Sequence, residues 1–217
     1  MKEFIFNETN TFCINLERSK DRWIKMEHKF KEFDMKVTRW NACTSEDAKE
    51  NFVYYLNDGQ RGCSQSHINI WRHVVDNNLE YAFILEDDAC FDKAWKEKIN
   101  QFCALNKDDE WHAVFLNASD PVEPLNTWTF AKGQVLLAGY VISNKACQLL
   151  LNDFKNLFFA SDWMTHQLQL YGHSYVFFPW LIIQEGKDSS LTIHVEAHRV
   201  RAEKCLNEID YSLDNYI

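Results

Sequence analysis

The chain has 217 residues, a net charge of −9 and an isoelectric point near 5.4, which argues against general nucleic-acid binding. Its 46% apolar and 15% aromatic residues exclude a disordered chain, and only 6 Gly and 3 Pro argue against linkers. The seven cysteines are irregularly spaced and include no C-x-x-C pair, which favours reduced thiols over a disulfide framework or a zinc site.

The size predicts a single domain over residues 1–217, with a polar tail over residues 200–217. Residues 1–11 lack the basic start and apolar core of a signal peptide, and no apolar run is long enough to cross a bilayer. The longest run, residues 176–183, is interpreted as a buried strand followed by a turn, with a membrane-surface patch as the less favoured alternative. We therefore expect a cytoplasmic protein.

Strand-like and helix-like segments alternate along the chain. Strands are predicted over residues 12–16, 36–42, 81–85, 114–116, 134–142 and 175–178. Helices are predicted over residues 20–33, from Ser64 or Ser66 to Asp76, and over 93–103, 143–151 and 162–171, with residues 43–58 irregular. This alternation is typical of an α/β fold with a largely parallel central sheet.

The predicted strand over residues 81–85 runs directly into Glu86, Asp87 and Asp88. Adjacent carboxylates repel one another, and a fold usually accepts them only around a cation or in contact with water. Ligands of open α/β sheets bind at the carboxyl ends of strands, where Mg²⁺ or Mn²⁺ would be held by carboxylates and substrate phosphates. We expect Asp88 as the first metal ligand and Glu86 as a ligand of either the metal or the ribose, with Asp87 pointing the opposite way as structural support. The alternative is a solvated acidic turn.

Two further segments carry candidate ligand-binding residues. Arg18 and Arg22 follow the first strand and could hold a diphosphate or a ribose, although helices often begin with charged residues. Residues 59–67 are predicted to form a glycine-bearing loop that enters a helix. An ordinary helix N-cap with a surface histidine is the alternative for that loop.

In their order along the chain, these segments resemble glycosyltransferase family 25. That family includes lipopolysaccharide and lipooligosaccharide sugar transferases and collagen galactosyltransferase domains. The resemblance covers residues 11–195, and its most specific part is the Gly-Cys-Ser-His block followed by Leu-Glu-Asp-Asp. The matching segments are residues 14–18, 59–67, 84–88, 139–143, 161–163 and 188–191.

The resemblance implies a GT-A-like α/β/α sandwich that uses Mn²⁺ or Mg²⁺ and a UDP-sugar donor. It implies transfer of a hexose, galactose or glucose, to a glycan hydroxyl with inversion, in lipooligosaccharide or surface-glycan biosynthesis. The acceptor would be lipid-linked or protein-linked, and the enzyme would contact the cytosolic face of a membrane peripherally. No nucleic acid is expected as a partner.

The resemblance also implies roles for individual residues. Asp162 is the expected general base, with a helix N-cap as the alternative, and Asp120 is the second candidate, as a base or a donor-sugar ligand. His194 is a candidate third metal ligand, although a lone histidine is more often structural. Residues expected around the donor nucleotide are Asn15, Arg18, Arg22, Ser66, His67 and Glu86.

The sequence allows more than one interpretation of two tryptophans and of the overall function. Trp163 and Trp180 could stack on a sugar, but core packing is favoured for both. A nucleotidyltransferase could use the same acids, but it would usually carry a glycine-rich first loop, and residues 12–22 contain no glycine. A non-catalytic binding protein on a degenerate transferase fold is the other alternative, against which the intact acidic triplet and Asp162 argue.

Overall fold

The computed structural model describes residues 3–185 and 195–217. The strands are β1 Thr11–Asn15, β2 Thr38–Asn41, β3 Tyr81–Glu86, β4 Ala89–Phe91, β5 Ala113–Phe115, β6 Thr129–Phe130, β7 Gly139–Ser143, β8 Ser174–Val176 and β9 Ile182–Gln184. The α-helices are α1 Lys20–Glu32, α2 Asp58–Asp76, α3 Trp95–Leu105, α4 Asn144–Asp153, α5 Ser161–Leu168 and α6 Val195–Asn207. Short 3₁₀ turns lie at Ser45–Asp47, Gln169–Tyr171 and Leu213–Asn215.

Seven strands form the central sheet, in the order β2-β1-β3-β7-β5-β8-β6. β1 is parallel to β2 and β3, and β5 is parallel to β8. β7 is antiparallel to β3 and β5, and β6 is antiparallel to β8. Five strands therefore run in one direction and two run against them, which confirms the predicted α/β class with a largely parallel sheet.

Helices cover both faces of the sheet, because successive side chains along its strands point alternately into two apolar clusters, one on each face. Ala82 and Ile84 of β3 pack in a cluster with residues of α2, α4 and α5. Phe83 and Leu85 point to the other face and pack with residues of α1 and α3. A central strand buried on both faces reads as a continuous apolar run, and this is the reason the sequence predicted β3 correctly. The layers form an α/β/α sandwich, as expected.

Helix α2 begins earlier than predicted. Its N-cap is Asn57, whose side chain accepts a hydrogen bond from the Gln60 backbone N–H, while the Gln60 side chain accepts one from Asn57. This capping box starts the helix before the predicted cap at Ser64 or Ser66, so residues 59–67 are helical and not a loop. Gly62 is required there for close packing, because a Cβ atom would lie 2.5 Å from the Cys43 carbonyl oxygen.

One other predicted strand needs correction, and the structure shows how two further predicted segments pack. The strand predicted over residues 134–142 is confined to β7, and the Gln134 backbone N–H bonds the Gln169 side chain instead. The apolar run over residues 176–183 is divided between β8 and β9 and is buried in the core, so it is no membrane-surface patch. The polar tail over residues 200–217 packs on the domain, where Leu206 is buried and Tyr216 pairs with Asp92. Within the described ranges, every helix is too short or too polar to span a bilayer.

Candidate active site

The carboxyl ends of β1, β2 and β3 meet the first turns of α2 around a cavity of about 440 Å³. The turn after β1 contributes Arg18 to its wall and α1 contributes Arg22, while the end of β3 and the turn that follows it contribute the acidic triplet. The segment after β2, residues 42–46, and the start of α2 close the opposite side. The position agrees with the rule that ligands of open α/β sheets bind at carboxyl strand ends.

Arg22 and Asn15 hold Asp87 in place. An Arg22 Nη atom lies 2.6 Å from Asp87 Oδ1, and the Asn15 side-chain amide donates to Asp87 Oδ2 over 2.5 Å. Burial raises the pKa of Asp87, and the charge of Arg22 opposes that rise. Asp87 lines the same cavity as Glu86 and Asp88, so the expectation that it would point the opposite way is wrong.

Asp88 is less well satisfied than its neighbour. Its Oδ2 lies 3.4 Å from Arg22, but its Oδ1 is buried without a hydrogen-bond partner among the described residues. Burial and then the charge of Glu86 raise its pKa to about 7. A buried carboxylate oxygen without a partner is the feature expected of a ligand for a hard divalent cation. The residues present therefore fit a hard divalent cation, which Asp88 and Glu86 would hold through their carboxylate oxygens.

Arg18 and Asn15 occupy different positions relative to the cavity. Arg18 is exposed on the cavity wall and has no ion-pair partner within the described parts of the chain. Asn15 is 1% exposed, so it supports Asp87 from behind the wall. Arg39, which the sequence analysis missed, in turn donates its Nε–H to the Asn15 side-chain oxygen over 2.9 Å. An arginine within a short strand gives no sequence signal that would distinguish this supporting role.

Ser66 and His67 are fully buried on α2. Ser66 Oγ donates to the Gly62 carbonyl and accepts from the Cys43 backbone N–H, which ties α2 to the segment after β2. His67 Nε2 lies 3.3 Å from Glu86 Oε1. Neither residue lines the cavity, so both act on a bound ligand only through the groups that they hold.

A second possible cation site lies beneath the acidic triplet. Single ligand atoms of Cys63, His67 and Glu86 lie within 4.8 Å of one another. Burial raises the pKa of the Cys63 thiol well above its usual value, and the charge of Glu86 adds to the rise. His194, the predicted third metal ligand, lies outside the described residues.

The two candidate bases differ in their surroundings. Asp162 lies in the first turn of α5, and its Oδ1 accepts from the Trp163 backbone N–H over 2.8 Å. Burial raises the pKa of Asp162, and the charge of Glu86 acts in the same direction. Asp120 is half exposed and forms an ion pair with Arg201. Neither carboxylate is among the residues that line the cavity.

The N-cap position of α5 belongs to Ala160, so Asp162 is not the cap, and Ser161 does not supply one either. The Ser161 backbone N–H instead donates to Ser64 Oγ over 3.0 Å, which fixes the start of α5 against α2. Trp180 is 2% exposed and belongs to the core, as favoured. Trp163, beside Asp162, is 39% exposed and leaves part of its ring open to a ligand.

Two kinds of comparison place the chain among known proteins. A family model described as Glycosyltransferase family 25 (LPS biosynthesis protein) matches residues 8–165. Human procollagen galactosyltransferase 2 is 29% identical in an alignment of 176 positions that covers 64% of this chain and 27% of that protein. A putative glycosyltransferase of Haemophilus influenzae is 31% identical in an alignment of 110 positions that covers 46% of this chain and 38% of that protein.

A solved structure, a glycosyltransferase involved in the glycosylation of the major capsid of PBCV-1, aligns with 89% of this chain and 96% of its own. Its TM-score against this chain is 0.46, and the two sequences are 10% identical. The chain spans well under half the length of both curated relatives. The family match nevertheless covers most of the chain, from before β1 into α5, and it includes the acidic triplet and Asp162. The chain belongs to glycosyltransferase family 25.

Proposed function

We propose that this chain transfers a hexose, galactose or glucose, from a UDP-sugar to a hydroxyl group of a glycan acceptor, with inversion. The observation that carries the proposal is the buried Asp88 oxygen without a partner, at the wall of a cavity that also presents two arginines. The cavity volume of about 440 Å³ falls within the range of roughly 300–1,000 Å³ typical of small-ligand sites.

The donor diphosphate would lie against Arg18 and Arg22. Guanidinium groups pair with phosphate oxygens in a bidentate manner, and Arg18 has no competing carboxylate within the described residues. Asp88 and Glu86 would hold Mn²⁺ or Mg²⁺, which supplies positive charge where the leaving diphosphate becomes more negative. Arg22 already lies 2.6 Å from Asp87, so its position is fixed before the donor binds.

Asp162 would accept the proton of the acceptor hydroxyl. Burial, and then the charge of Glu86, raises the pKa of Asp162, which brings this carboxylate closer to the range useful for a base at neutral pH. Asp120 is the weaker candidate, because its carboxylate is half exposed and neutralised by Arg201. The exposed part of the Trp163 ring supports a role in stacking on a sugar beside Asp162.

The names of the relatives support a lipid-linked or protein-linked glycan as the acceptor, in lipooligosaccharide or another surface glycan. The seven free cysteines support a reducing compartment such as the cytosol. The predicted peripheral contact with a membrane face stays a prediction, since no feature within residues 3–185 and 195–217 supports it.

Titration calorimetry with UDP, in the presence and absence of Mn²⁺, tests the donor part of the proposal. We expect binding that Mn²⁺ strengthens in the wild type and that Arg18→Ala weakens. Lys25→Ala is a matched control, because Lys25 carries the same charge on α1 but pairs with Glu185. Absence of UDP binding with either Mn²⁺ or Mg²⁺ would contradict the proposal.

A further inference from the structure

A buried chain of hydrogen bonds connects the core of the domain with Glu86. Trp71 Nε1 donates to the Tyr140 hydroxyl oxygen over 3.0 Å, and that hydroxyl lies 2.9 Å from His67 Nδ1. The other ring nitrogen, His67 Nε2, lies 3.3 Å from Glu86 Oε1. Trp71, Tyr140 and His67 are all 0% exposed, so water does not replace any of these partners.

The donors and acceptors along this chain fit together in one way. The indole of Trp71 can only donate, so the Tyr140 oxygen accepts from it and keeps its own proton for another acceptor. Within the described residues, the acceptor in reach is His67 Nδ1. His67 must then carry its proton on Nε2, and it donates that proton to the Glu86 carboxylate.

We propose that His67 is a positioning residue whose tautomer is set by Trp71 through Tyr140, and which fixes the Glu86 carboxylate by donating Nε2–H to Oε1. Glu86 Oε2 then remains to face the cavity, so Glu86 presents one oxygen in a fixed direction. The consequence for donor binding rests on the proposed function, whereas the tautomer does not depend on it.

The rival use of these residues is a cation held by Cys63, His67 and Glu86. A cation there would need the Nε2 lone pair, so the imidazole proton would move to Nδ1 and the Cys63 thiol would release its proton. The Tyr140 oxygen would then face two N–H donors, Trp71 Nε1 and His67 Nδ1. The hydroxyl proton of Tyr140, which is fully buried, would lose its acceptor. The hydrogen bonds therefore favour the positioning role, in which every buried donor has a partner.

The tautomer can be read directly from long-range ¹H–¹⁵N correlation spectra, with His67→Gln used to assign the His67 signals. We expect a protonated Nε2 and an unprotonated Nδ1 in the wild type, and a mixture of tautomers in Tyr140→Phe. A protonated Nδ1 in the wild type overturns the proposal. So does a shift of the His67 signals on addition of Zn²⁺ that Cys63→Ser abolishes, because it would show that the cluster is a cation site.

Two amide variants test the positioning itself. The side-chain nitrogen of His67→Gln can reach Glu86 in place of Nε2, whereas the shorter side chain of His67→Asn keeps only the contact with Tyr140. Both lose the ring, so both should lower the melting temperature similarly. We expect His67→Asn to weaken UDP binding in the presence of Mn²⁺ by roughly 10- to 100-fold, as is typical when a supporting hydrogen bond is lost, and His67→Gln to stay near the wild type.

The outcomes separate this proposal from the proposed function. Equal loss of UDP affinity in His67→Gln and His67→Asn would overturn the positioning role, because only the ring would then matter. The positioning role would also be overturned if both variants bound UDP as tightly as the wild type. Failure of the wild type to bind UDP would contradict the proposed function instead, and the tautomer measurement would still decide how Glu86 is held.

Discussion

Substitution of the two neighbouring aspartates should change stability in opposite directions. Asp88 has one buried oxygen without a partner, and its other oxygen lies 3.4 Å from Arg22. Asp87 has close partners on both oxygens, at 2.6 Å and 2.5 Å. Asp88→Asn removes an incompletely compensated buried charge, whereas Asp87→Asn replaces an accepting oxygen with an NH₂ group that faces the donor of Arg22 or Asn15, so a hydrogen bond is lost.

The expected magnitudes follow from these contacts. An unsatisfied buried polar group costs about 1–3 kcal/mol, and more when it is charged, so Asp88→Asn should raise the free energy of unfolding of the metal-free protein by about 1–3 kcal/mol. Hydrogen bonds to charged groups contribute about 1.5–3 kcal/mol, so Asp87→Asn should lower it by a similar amount. For a domain of this size, each kcal/mol shifts the melting temperature by about 2–4 °C.

Thermal unfolding at pH 8 with a chelator measures both effects. Addition of Mn²⁺ should then raise the melting temperature of the wild type but not that of Asp88→Asn, because only the wild type offers the cation a negatively charged carboxylate at this position. Metal-dependent activity of Asp88→Asn should fall on the order of 10²–10³-fold. Destabilisation by Asp88→Asn as large as that by Asp87→Asn, or unchanged stabilisation by Mn²⁺, would refute this account of the acidic triplet.

Three further substitutions test other parts of the account. Arg18→Ala should weaken UDP binding without changing the melting temperature, because Arg18 has no ion pair within the described residues; unchanged affinity would make it a surface charge. Asp162→Asn should reduce transfer to the acceptor by roughly 10²–10⁴-fold while UDP affinity stays the same, and loss of UDP binding would instead assign Asp162 to the donor site. Burial, followed by the charge of His173, lowers the pKa of His112 to about 4. The unfolded chain therefore takes up this proton first, and stability should fall by about 2 kcal/mol as the pH drops from about 6.5 to 4. His112→Leu should flatten that part of the pH profile, measured by urea unfolding, and an unchanged profile would show that His112 does not titrate there.

The sequence predicted the features that depend on periodicity and on strand ends. The apolar run before Glu86 predicted a strand buried on both faces, and the carboxyl end of that strand lies at the cavity. The direction of Asp87 was predicted from the alternation of a continuing strand, but β3 ends at Glu86, so the alternation no longer applies at residue 87.

The supporting contacts could not be predicted, because they join segments distant in sequence. Arg39 reaches Asn15 across two neighbouring strands, and Tyr140 reaches His67 over 73 positions. The helical start of α2 was missed for a different reason. Its glycines suggested a loop, whereas Gly62 is needed for the close approach of Cys43 and not for a turn.

The central claim is sugar transfer from a UDP-hexose, and release of UDP tests it most directly. The purified chain is incubated with UDP-galactose, UDP-glucose or UDP-N-acetylglucosamine and Mn²⁺, and free UDP is measured over time for the wild type and Asp88→Asn. We predict steady release of UDP from one of the two hexose donors, galactose or glucose, that falls on the order of 10²–10³-fold in Asp88→Asn. No release of UDP from any of the three donors, or equal release by wild type and Asp88→Asn, would contradict the claim.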